Sequence, residues 1–257
     1  GQAWAVARLE TLAEAVLPGA PAVEAPRVLA DAVHEAAQAH VAFKSVIAYR
    51  YGLDFDPTRP TDAELIDAVE SWLTASEATG QVRLTDPVIM RYLIHLAVDT
   101  ALPLQFHVGF GDSSAVHHRC YPSYLSNFIA SIIGSGCNVM LLHCYPFIRE
   151  AAILCHVFPH VWMDIGLTLN YLGPAGALAM SEALALAPFG KQVFSTDAFG
   201  LPELYFTGAR QWRRSLADVF ESWIQADAVS LADARRYADW MAFDNARHVY
   251  RLSEAIA

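Results

Sequence analysis

Three runs decide how this chain folds: Leu102-Pro-Leu-Gln-Phe-His107, Asn138-Val-Met-Leu-Leu-His143 and Gln192-Val-Phe-Ser-Thr-Asp197. Each is a short, mostly apolar stretch that ends in a polar residue and is soon closed by Gly109, Pro146 or Gly200. Continuous apolar runs bounded by turn residues read as strands buried on both faces, the pattern of a parallel sheet. A polar residue at the carboxyl end of such a strand reads as chemistry, because sites form outside those ends. His, His and Asp are moreover ligands for a borderline or hard divalent ion.

Two further strands flank these. Val41–Tyr49 (Val-Ala-Phe-Lys-Ser-Val-Ile-Ala-Tyr) holds Lys44 inside it, and Val161–Ile165 carries Asp164. Helical spacing of apolar residues fills the intervals. Ala3–Val16 and Pro26–Ala39 come first. Thr61 with Glu64 makes a capping box for the next helix, and Asp86-Pro87 opens another. Helices at 121–133, 147–156, 174–187, 212–225 and 231–242 complete the alternation. Strands separated by helices imply an α/β fold with a parallel sheet. Five strands do not close an eight-stranded barrel. The residues alone therefore leave two readings: an open doubly wound sheet, or the carboxyl-terminal part of a (β/α)8 barrel. The chain opens at Gly1 directly into a helical pattern, with no strand ahead of it, and so reads as a fragment.

The 257 residues suit one domain, 1–257, with 1–40 as a helical lead-in and 41–257 as strand and helix units. Only 17% of residues are charged and mean hydropathy is +0.27, which suits a large core. The net charge of −10 argues against nucleic acid, which would call for a basic face. The most apolar stretch, Tyr124–Tyr145, is broken by Asn127, Ser131, Gly134, Ser135, Gly136 and Asn138, so it reads as helix, turn and strand and not as a membrane span. Cys120, Cys137, Cys144 and Cys155 form no Cys-x-x-Cys and read as reduced buried thiols, with a cytoplasmic location expected.

The chemistry follows from the residue types. A metal-bound water is a nucleophile at neutral pH, and a neighbouring carboxylate can take its proton and deliver it to a leaving group. His107, His143 and Asp197 could supply two ligands and that shuttle. Lys44 is costly to bury charged; burial frees its amine, which CO₂ could convert to a metal-bridging carbamate, or it could pair with Asp164 or Asp197. Asp164 could orient a substrate or a ligand, or cap the loop after it. Arg50 and Arg149 follow strand ends and could fork a substrate carboxylate. Glu203, just past the Asp197 turn, is a rim residue. His95, His117, His118, His156 and His160 read as structural or solvated.

With these residues placed, the chain resembles the metal-dependent amidohydrolase superfamily. More closely, it resembles the amidohydrolase-type domain that some fungal and plant proteins carry ahead of a glutamine-synthetase-like domain. The stretches that carry the resemblance are Phe43–Arg50, Pro103–Asp112, Leu141–Glu150, Asp164-Ile-Gly166, Ser195–Tyr205 and Asn245–Leu252. The resemblance implies a (β/α)8 barrel reduced to strands four to eight. Lys44 would lie on the fourth strand, His107 and His143 would be the fifth- and sixth-strand ligands, and Asp197 the eighth-strand ligand and proton carrier. It also implies one or two divalent ions, zinc first, and hydrolysis of a C–N bond in a small carboxylate-bearing substrate. The alternatives are a superfamily decarboxylase, or a non-catalytic module assembled with a fused or partner domain or with a second copy. The chain departs from the pattern in lacking a His-x-His pair.

Overall fold

The computed structural model describes residues 3–111, 113 and 115–252. Asp112, within one of the matching stretches, lies outside the described residues. The protein is α/β. Among the described residues the strands β1 (Val6–Arg8), β2 (Ala42–Ser45), β3 (Leu104–Val108), β4 (Val139–His143) and β5 (Val161–Met163) follow chain order in one sheet, as sequential βα units do. By contact density the chain divides into two compact units, Gly1–His107 with Gly111–Val139, and Val108–Phe110 with Met140–Ala257.

The first unit contains β1 (Val6–Arg8), α1 (Leu9–Val16), α2 (Ala25–Ala39), β2 (Ala42–Ser45), α3 (Ile47–Arg50), α4 (Asp62–Thr79), α5 (Pro87–Asp99), β3 (Leu104–Val108, as far as His107) and α6 (Ser126–Ser131). β1 corrects the expectation of an all-helical lead-in: Val6, Ala7 and Arg8 pair in parallel with Ala42, Phe43 and Lys44. β2 pairs in turn with β3, Phe43 opposite Leu104 and Lys44 opposite Gln105. Strand β2 also stops at Ser45, short of the expected Tyr49. The reason is local: Glu10 Oε1 accepts from Val46 N–H and Ser45 Oγ, and Ser45 Oγ accepts from Ile47 N–H, which bends the chain into α3. Two helix starts are as read. Thr61 and Glu64 cap α4 reciprocally, and Asp86 accepts from the N–H groups of Val88 and Ile89; such caps contribute about 1 kcal/mol each. Phe43, Leu104, Phe106 and Phe128 are fully buried, each removing roughly 1.5–3 kcal/mol of apolar surface from water.

The second unit contains β4 (Val139–His143, from Met140), α7 (Ile148–Val157), β5 (Val161–Met163), α8 (Gly166–Leu172), α9 (Gly176–Leu184), α10 (Pro202–Gln225), α11 (Leu231–Asp239) and α12 (Asn245–Val249). Met140 and Leu142 of β4 pack with Trp162, Val193 and Val249. The expected strand at 192–196 is reduced to one parallel bridge, Met163 to Gln192. Its backbone groups go elsewhere: Gln192 C=O accepts from Asn245 Nδ2, and Phe194 N–H donates to Met241 C=O. No helix among the described residues is long and apolar enough to cross a membrane.

Candidate metal and acid–base site

In the second unit the β4 strand delivers His143 into an unusual turn. His143 and Cys144 both take left-handed backbone, with φ of 71° and 64°. Asp197, on the segment after the bridge, does the same with φ of 46°. Non-glycine residues held there cost of order 1–3 kcal/mol each and gather where a side chain must be aimed. The strain is held by specific contacts. Asp164, buried at the end of β5, accepts from His143 N–H at 3.2 Å and from Gly166 N–H at 3.1 Å through one oxygen. Thr168 Oγ1 donates to His143 C=O at 2.7 Å, and Asn170 Nδ2 donates to Thr196 C=O at 2.7 Å. Helix α8 thus ties the His143 turn to the Asp197 turn. Gly166 is required there, because a Cβ would lie 2.1 Å from Ser195 Oγ and 2.2 Å from its carbonyl oxygen.

The result brings His143 Nε2 to 3.8 Å from Asp197 Oδ2. The imidazole is almost fully enclosed while the carboxylate is 42% exposed. An imidazole nitrogen and a carboxylate oxygen fit a divalent ion chemically: two ligands about 2.1 Å from one tetrahedral ion stand about 3.4 Å apart. Among the described residues no group of three or more His, Cys, Asp or Glu side chains is gathered to hold an ion. Cys144 is no nucleophile. Burial, then the nearby Asp164 charge, pushes its thiol well above the ordinary value, and Sγ donates to Leu141 C=O. All four cysteines are free and buried, as read.

The remaining sequence candidates fall elsewhere. His107 belongs to the first unit, buried with its ring edge-on to Tyr49 at 4.9 Å. Lys44 shares its register row with Arg8 and Gln105 and is half-buried, not enclosed as expected. The Arg50 side chain is 6% exposed, ion-paired with Glu14 and donating to Leu84 C=O. Arg149 is exposed and bonds Glu182 of α9 at 2.5 Å, beside a cleft of about 760 Å³ lined by Tyr145, Ile153, Leu178 and Leu186. Glu203 is exposed in the first turn of α10. His95 is structural as read, with Nε2 at 3.0 Å from Pro57 C=O. Thr168 and Asn170, which hold the two turns together, were not anticipated; a polar residue every second position in Gly166-Leu-Thr-Leu-Asn is a faint signal at most.

No family model matches the chain. In the solved structures it is similar to a protein of Lactobacillus casei ATCC 334 inferred to be a metal-dependent hydrolase, with TM-score 0.87 and 32% identity over 99% of this chain and 67% of that one. The uronate isomerase of Thermotoga maritima shares the fold at TM-score 0.66 and 12% identity, over 94% of this chain and 57% of that one. The chain belongs to the metal-dependent amidohydrolase superfamily, with the α/β architecture of its barrels. It is also 30% identical over 238 residues to protein fluG of Emericella nidulans, 88% of this chain but 27% of the fungal protein. The chain thus spans about a quarter of that relative's length.

Proposed function

We propose that this chain provides ligands and the acid–base group of a metal-dependent hydrolase acting on a C–N bond in a small, carboxylate-bearing molecule. The observation that carries the reading is the pairing of His143 Nε2 with Asp197 Oδ2 at 3.8 Å, both residues on left-handed backbone. His143 and Asp197 would hold a divalent metal, zinc by donor type; His107 and Lys44 belong to the first unit and are candidate ligands by residue type alone. When bound, the metal lowers the pKa of its water and polarises a carbonyl. Asp197, the more exposed of the pair, takes the water's proton on a carboxylate oxygen and returns it to the leaving nitrogen. Asp164 and Thr168 position the imidazole by fixing the backbone on either side of it. The substrate is a small molecule, and Arg149 and Glu203 are its candidate rim contacts. A homo-oligomer or a fused partner domain, and a cytoplasmic setting, accompany the proposal.

The test is elemental analysis of the purified protein, followed by a panel of small amides monitored for ammonia or amine release. Stoichiometric metal that is lost in His143→Ala, together with amide hydrolysis that is lost in Asp197→Asn, is expected. Carboxylate loss as CO₂ in place of amine release would move the assignment to a decarboxylase.

A further inference from the structure

The rim beside the His143–Asp197 pair is aromatic, and that deepens the reading above, on which this inference rests. Tyr145 follows His143 by two residues and its N–H donates to His143 C=O at 2.9 Å. Phe110 N–H donates to Tyr145 C=O at 2.9 Å, which fixes the two rings at 5.0 Å. The approach is so close that Gly109 admits no side chain: a Cβ would fall 1.9 Å from Tyr145 C=O. Tyr171 adds a third ring, 5.5 Å from Phe110. It sits on α8 three residues after Thr168 and one after Asn170, the two side chains that anchor the His143 and Asp197 turns. Tyr171 is nevertheless 74% exposed, and Phe199, two residues after Asp197, is 87% exposed. Phe110 and Tyr145 are half-buried while Tyr171 stands in water, so the cluster, tied by Tyr145 to the His143 turn, offers a flat apolar face to a ligand.

We propose that Phe110, Tyr145 and Tyr171 form a wall that takes an aromatic or conjugated ring of the substrate, next to the bond that His143 and Asp197 act upon. Ring-to-ring contacts exceed simple burial by an amount equivalent to roughly a threefold to tenfold difference in affinity. A planar ring is therefore preferred over a saturated one of equal size and charge.

The experiment titrates the intact, metal-containing protein with benzoate and with cyclohexanecarboxylate, followed by ligand-observed NMR. Both carry the same carboxylate, so any contact of that group with metal or arginine cancels in the ratio. Benzoate is expected to bind roughly threefold to tenfold more tightly. Tyr171→Ala should bring the ratio to one and Tyr171→Phe should keep it. Equal affinities, no binding of either acid, or a ratio untouched by Tyr171→Ala would overturn the ring wall. The two readings fail separately. Loss of all amide hydrolysis with the benzoate preference intact sinks the reaction assignment alone, whereas good hydrolysis with a ratio of one sinks the wall alone.

Discussion

Asp164 holds His143 by its backbone: one carboxylate oxygen accepts His143 N–H at 3.2 Å, while the imidazole Nε2 stands 3.8 Å from Asp197 Oδ2. The backbone contact and the proposed ligand nitrogen are thus different atoms of the same residue, and substitution can separate them.

Asp164→Asn keeps the shape and one acceptor but removes the charge that strengthens both N–H contacts. Stability should fall by about 1–3 kcal/mol, read as a shifted denaturant midpoint. Metal affinity should weaken by about 10- to 100-fold, as for other groups that orient a ligand. An unchanged midpoint with unchanged metal content would show that the turn holds itself.

His143→Ala removes the enclosed imidazole. Metal measured by plasma emission should drop to background. Full metal occupancy in this variant would exclude His143 as a ligand.

Asp197→Asn cannot accept a proton at neutral pH. Turnover of an amide should fall by at least ~10²-fold, with metal content reduced less than in His143→Ala. Wild-type turnover would end the proton-transfer role.

Glu10 provides a pH test of the first unit. Burial raises its carboxyl above the ordinary 4.5, against the lowering effect of its backbone contacts and Ser45. The folded state therefore holds this proton more tightly than the unfolded state. Its contribution is complete below pH 4.5 and is lost as pH rises toward the raised folded value. Within that window one proton corresponds to a slope of up to about 1.4 kcal/mol per pH unit. Denaturant midpoints taken from pH 4 upward should decline more in the wild type than in Glu10→Gln. Parallel pH profiles would mean that Glu10 ionises normally.

The thiols should be silent. Burial lifts Cys120 to about 11 and Cys155 to about 12, and Cys144 lies well above its usual value. Native protein treated with iodoacetamide at pH 8 should show no alkylation by mass spectrometry at these three positions, and full alkylation in denaturant. Rapid native labelling of Cys144 would contradict its enclosure.

The strand ends were legible because a buried apolar run followed by His or Asp is rare on composition alone, and the helix starts at Thr61 and Asp86 because capping chemistry is local. The rest depended on tertiary partners. Val6–Arg8 is three residues embedded in a helical pattern, and becomes a strand only because Ala42, Phe43 and Lys44 offer a parallel neighbour. Gln192–Thr196 has a strand composition, yet Asn245 and Met241 claim its backbone groups. The ion pair of Arg50 with Glu14 joins residues remote in sequence and has no local signal. Thr168 and Asn170 carry no local mark of their task, since ordinary helix residues become ties only where two turns converge on them.

Helix α8 has seven residues and one grip at each of two turns. Each residue of an α-helix advances about 100° around its axis, so one inserted residue between Thr168 and Asn170 would swing one grip off its carbonyl. The segment acts as a gauge block that sets the gap between the His143 and Asp197 side chains. Its length is therefore set by both grips at once, whereas Tyr171, just beyond the second grip, can be exchanged without loosening either turn.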